Sequence, residues 1–143
     1  MRAQITRIIF TLLIVVYAVL PMLAEFNATH VVNPDWPGHA RLHNVWLIVQ
    51  NALLGLLALY LIWIQSSRGT LLIAGSIGAI IFGSFLIAGI TAPLYGGSLT
   101  DPGAEVVVVD GTDINVYVLG VSFVLSLIGL GMVYTSEETT TSH

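Results

Sequence analysis

The chain has 143 residues, of which 56% are hydrophobic and 8% charged, with a net charge of −4 and neither cysteine nor lysine. The missing cysteine excludes disulfides, zinc–thiolate sites, iron–sulfur clusters and thiol catalysis. The missing lysine excludes Schiff-base chemistry, and the acidic balance argues against a nucleic-acid partner, since phosphate binding needs clustered cations.

Soluble domains carry about 25% charged residues. A mean hydropathy of +0.92 leaves more apolar surface than a soluble fold of this size can hide. The natural solvent for that excess is a lipid bilayer.

Arg2 and Arg7 open a short basic leader, and residues 8–23 are almost wholly apolar. That is close to the roughly 20 residues a helix needs to span hydrocarbon. A basic start before an apolar run is also the pattern of a signal peptide, but Met22-Leu23-Ala24 makes a poor cleavage site. The segment reads as a retained first helix over about 5–24, with Pro21 in its last turn as a kink or stop.

A polar connector follows, and its Asn27-Ala28-Thr29 reads as a chance match to a glycosylation acceptor. Pro37 suits the first turn of a second helix over about 37–65, with Asp35 or a neighbour as its cap. Residues 66–69 form a polar turn, and a third helix covers about 70–91. The loop over about 92–112 is broken by Pro93, Gly96, Gly97 and Pro102. Its run Glu105-Val-Val-Val-Val-Asp110-Gly111 has strand and turn character, which predicts a short hairpin or an extended flap. Thr112 or Asp113 caps a fourth helix over about 113–134, and 135–143 is a polar tail.

The expected fold is therefore all-α: one integral membrane domain over 1–143, built as a four-transmembrane-helix bundle. Arg2, Arg7 and Arg68 place both termini in the cytoplasm, with the two longer connectors outside. The expected location is a bacterial inner membrane or its equivalent. Gly75, Ala79 and Gly83 give the third helix a small-residue face for close packing, within the bundle or between copies.

Chemistry concentrates where the second helix begins. At 100 degrees per residue, His39, His43, Trp46 and Gln50 fall within about 60 degrees of one another, and Arg41 points to nearly the opposite side. Such a stripe is costly against lipid tails, so it is expected to face the bundle interior or a wet outer vestibule. Asp113 and Tyr117 on the fourth helix, and Glu25 after the first, carry polar groups toward the same end.

Histidines at i and i+4 suit a metal ion, with Asp35 and His30 as further ligands. Nitrogen and carboxylate donors without sulfur fit zinc, iron, manganese or copper. A hydrogen-bonded His/Arg/carboxylate cluster closing the bundle, or direct acid–base catalysis by His39, His43, Glu25 and Asp113, would use the same residues.

The segment Trp36-Pro37-x-His39-Ala40-Arg41-x-His43 resembles one found in a group of uncharacterised small four-helix membrane proteins of bacteria and fungi. The layout is also similar to the EXPERA (sterol-isomerase) superfamily, in architecture only. The first resemblance implies no activity, and the second implies a bundle that holds a lipophilic molecule.

Three functional classes follow. One is an enzyme on a lipophilic small molecule, with Arg41, Trp46, Gln50 and Tyr117 binding substrate. Another is a non-catalytic lipid- or sterol-type binding protein. The third is an accessory subunit, in which homo-oligomer or hetero-subunit contacts carry the function.

Overall fold

The computed structural model describes residues 1–99 and 107–137. Four helices dominate it: α1 Arg2–Ala24, α2 Gly38–Gln65, α3 Arg68–Leu94 and α4 Ile114–Tyr134, each long and apolar enough to cross a membrane. Between α3 and α4 lies a two-stranded antiparallel hairpin, β1 Val108–Val109 and β2 Thr112–Asp113. The expected four-span bundle is thus the observed fold. The helices of the sequence reading are recovered, with α1 and α3 starting earlier. Pro102, Glu105 and the end of the tail lie outside the described residues.

Each boundary has a local cause. Ser66 takes a left-handed conformation (φ 55°) that ends α2. Ser67 then caps α3, its side chain accepting from Thr70 N while Thr70 Oγ1 accepts from Ser67 N. Asp110 (φ 49°) and Gly111 (φ 78°) both sit at positive φ, as a two-residue type I′ hairpin turn requires. The Asp113 carboxylate accepts from Asn115 N at 2.7 Å and caps α4. The start of α2 differs from expectation. Pro37 is the N-cap residue and no side chain caps it, while Asp35 is exposed and its backbone N–H donates to Asn33 Oδ1.

Two π-helical stretches interrupt the helices, Val15–Val19 in α1 and Leu61–Gln65 in α2. The first precedes Pro21, which has no N–H to give and crowds the carbonyl four residues back. The ladder widens there, and Leu20 N–H bonds to Val15 O.

Packing is closest between α3 and α4, and α1 crosses over that pair. Phe10 is buried (2% exposed) and its ring lies directly on Gly75 of α3 and Gly129 of α4, where any Cβ would collide with it. Above it, Tyr17 meets Phe82 edge-to-face at 5.9 Å. Gly55 of α2 approaches α1 so closely that a Cβ there would lie 2.6 Å from that of Ala18. In lipid, where burial between helices yields little hydrophobic gain, such backbone approach supplies dispersion contact. The expected small-residue face is used inside the bundle: Gly75 touches Phe10 and Leu130, and Gly83 faces Phe123.

Side-chain bonds define the two ends. At one, Trp63 Nε1 donates to Thr11 Oγ1 at 3.1 Å, and Arg68 donates to the carbonyls of Val133 and Tyr134. At the other, Asn44 of α2 donates to Glu25 at the start of the connector 25–37.

Candidate functional site

The connector is built around Asn27. Its Nδ2 donates to Ala24 O at 2.6 Å, and its Oδ1 accepts from Thr29 N and Thr29 Oγ1 at 2.8 and 2.7 Å. These bonds turn the chain directly after α1. Thr29 Oγ1 is also 2.8 Å from His30 Nδ1. Since the single hydroxyl proton goes to Asn27, His30 Nδ1 is assigned as the donor in that contact. His30 packs edge-on against Trp36 at 5.6 Å, and its Nε2 lies 3.9 Å from Glu25 Oε2. The same Glu25 oxygen accepts from Asn44 Nδ2 at 2.9 Å, which joins the end of α1 to the second turn of α2. Glu25, His30, Asn44 and Trp36 thus form one half-buried clamp.

His39 and His43 form a separate group. Their Nε2 atoms are 3.0 Å apart, and the two rings meet edge-on at 4.4 Å. Trp46 lies 5.8 Å beyond His43. His39, His43, Trp46 and Gln50 are all exposed. The inward face of α2 is instead Arg41, Asn44, Ile48, Gly55, Ala58 and Ile62, from half-buried at Arg41 to fully buried at Ile62. The wheel phases therefore hold, but the expected facing is inverted. The histidine stripe points away from its own bundle and Arg41 is on the bundle side. Periodicity fixes which residues share a face, whereas Gly55 and Ala58 decide which face packs.

The remaining candidates are dispersed. Asp35 is exposed on the connector. Asp113 is buried (5% exposed), and its carboxylate is used in the α4 cap rather than on Arg41 or a histidine. Tyr117 donates its hydroxyl to Val109 O at 3.4 Å, tying the hairpin to α4. Among the described residues no three His, Asp or Glu side chains converge as a group that could hold a metal ion. His39 and His43 are a pair, and His30 with Glu25 is another.

The polar side chains of α3 toward this end are likewise satisfied locally. Ser84 and Thr91 donate to the carbonyls of Ile80 and Ile87 one turn back, and Tyr95 donates to Ala88 O. Inside the bundle, Phe10, Leu13, Tyr17, Gly75, Gly78 and Ser126 close on one another with no room for a water molecule between them. An open apolar groove of about 360 Å³ runs along the outside of α4, past Tyr117, Gly120 and Val124.

Sequence reasoning missed three contributors. Asn44, Asn27 and Trp36 organise the clamp, yet a lone asparagine on a helix wheel carries no sign of a partner 19 residues away. The Asn27-x-Thr29 spacing was the available signal, since asparagine followed two residues later by a hydroxyl residue favours a side-chain-closed turn.

No curated protein and no solved structure matches this chain. A family profile matches residues 9–140, which takes in α1 from Ile9 onward, all of α2, α3 and α4, the clamp and the histidine pair. The chain belongs to DUF6640, a family of unknown function.

Proposed function

We propose that this protein is a non-catalytic tetraspan subunit that acts by lateral association, presenting the outward face of α2 to another membrane helix. The observation that carries this reading is the direction of the His39, His43, Trp46 and Gln50 stripe, which is exposed on the bundle's own surface. Gln50 lies 11 residues, about 16 Å, below His39 at 1.5 Å per residue. At that depth a primary amide meets hydrocarbon, where an unsatisfied polar group costs several kcal/mol. A neighbouring span that donates to and accepts from it removes that cost, and such amides are a common glue between helices.

The inward side supports the same reading. The Glu25–Asn44 clamp and the close Gly55–Ala18 approach hold α2 rigidly against α1. The exposed stripe is therefore presented on a fixed support. Arg2, Arg7 and Arg68 share one end, which we assign to the cytoplasm. Topology reporters fused at the C-terminus and in the connector 25–37 should then report inside and outside respectively.

The test is association in the native membrane. A tagged chain extracted in mild detergent should co-purify stoichiometrically with a partner or a second copy. Gln50→Leu with His43→Ala should abolish this without loss of helicity. A wild-type chain that is monomeric, and cross-links only to lipid from the α2 face, overturns the proposal.

A further inference from the structure

We infer that His39 and His43 are half of a transition-metal site, zinc being the best fit, and that the same pair from a second copy of this chain completes it. This rests on the α2 face being an association surface, and it names the occupant.

Two nitrogens bound to zinc at about 2.05 Å and the tetrahedral angle lie about 3.3 Å apart. The Nε2 atoms of His39 and His43 are 3.0 Å apart, so a small rotation of either ring admits an ion between them. Without metal, one Nε2 carries a proton and donates to the other. With metal, each neutral ring keeps its single proton on Nδ1 and turns an Nε2 lone pair to the ion. No proton need be lost, only a change of tautomer at one ring through solvent. Both rings are exposed, and Trp46 flanks His43 on the same face.

Two nitrogens fill half of a four-coordinate site. Among the described residues no third His, Asp or Glu joins them. The remaining ligands then come from outside the copy, and the face itself indicates the source. From His39 through Trp46, Gln50, Leu53, Leu57 and Ile64 the outward stripe of α2 carries no Asp, Glu, Lys or Arg. A two-fold axis passing beside it brings each residue near its own counterpart without like-charge repulsion. Histidine pairs then meet as a four-nitrogen set. Below them, the two Gln50 amides meet as mutual donors and acceptors. A charged partner face would instead leave a buried charge opposite neutral groups.

The experiment uses the full chain in mild detergent and zinc alone. Native mass spectrometry should show one zinc per two chains, and a chelator should return the protein to monomer. His39→Gln/His43→Gln, checked for unchanged helicity, should lose both the zinc and the zinc-dependent dimer. Since the chain has no cysteine, Leu53→Cys provides a single reporter on the same face, and zinc should raise its self-cross-linking severalfold. One zinc per monomer, no zinc bound, or an equal zinc-driven dimer in the glutamine variant overturns the inference. Cross-linking of Leu53→Cys to a different protein, with no zinc bound, also overturns it but leaves lateral association standing. Cross-linking to no protein at all removes both.

Discussion

Asn44 reaches across 19 residues of sequence to donate its side-chain amide to Glu25 at 2.9 Å. That bond fixes how α2 leaves the connector, and with it the direction of the histidine stripe. Both partners are half-buried, so losing either should cost about 1–2 kcal/mol. Glu25→Ala and Asn44→Ala should lower the melting temperature and make the connector 25–37 more sensitive to protease. Glu25→Gln keeps a carbonyl acceptor and should retain most of the wild-type behaviour. An equally severe Glu25→Gln would shift the weight from the Asn44 bond to the approach of His30.

Phe10 sets a second expectation. Its ring occupies the space that a Cβ would need at both Gly75 and Gly129. Phe10→Ala should cost about 3 kcal/mol by opening a cavity between α1, α3 and α4. Gly75→Val or Gly129→Val should cost about 1–3 kcal/mol by overpacking. Thermal unfolding in detergent checks both. Partial rescue of Gly75→Val by Phe10→Ala would show that the two act through one contact.

Arg68 concerns the far end of the bundle. Its guanidinium donates to the carbonyls of Val133 and Tyr134 and stands 5.5 Å from the Tyr134 ring centre. It neutralises the negative end of α4 with a planar fork that lysine lacks. Arg68→Gln should weaken the last turn of α4 by about 1 kcal/mol, seen as faster amide exchange near residue 134. Arg68→Lys should recover only part of it, because the stacked fork is lost even though the charge remains.

The hairpin before α4 gives a fourth expectation. Gly111→Val forces a branched side chain into φ 78° and should open the β1–β2 turn. Asp113→Ala removes the α4 cap and should cost about 1 kcal/mol. Hydrogen exchange at 108–116 should rise in both variants, while exchange in the cores of α1 and α3 stays unchanged. A change spread over all four helices would instead tie this hairpin to global stability.

The legible part of the fold is the part that depends on solvent and on local geometry. Long apolar runs meant spans, Asp110-Gly111 meant a turn, and Thr112 or Asp113 meant a cap. Pro21 marked a disturbance in α1 but not its form, since a widened ladder and a kink answer the same missing donor.

The candidate site was less legible for a physical reason. In water, the apolar side of a helix wheel is the inside. In lipid both sides are apolar, so polarity no longer separates core from surface. His39, His43 and Gln50 share a face by arithmetic, but the near contact of Gly55 with Ala18 and the Asn44–Glu25 bond together fix where that face looks. The clamp partners of Glu25 depended on how the connector closes, which no local pattern encodes.

The widened stretch Val15–Val19 has a consequence for how α1 serves two neighbours. Its inner part, Arg2–Ile14, lies mainly on α4, whereas Val15–Val19 lies on α2. One additional residue in a turn rotates all that follows by about 100 degrees relative to an unbroken helix. The stretch acts as a fixed phase offset between two contact stripes that a regular helix would place differently. Deleting one residue there would leave composition and hydrophobicity almost untouched. It would heal the turn to a regular helix with both stripes still in place, whereas a deletion elsewhere in α1 would turn everything beyond it by about 100 degrees, so that α1 could satisfy α4 or α2 but not both.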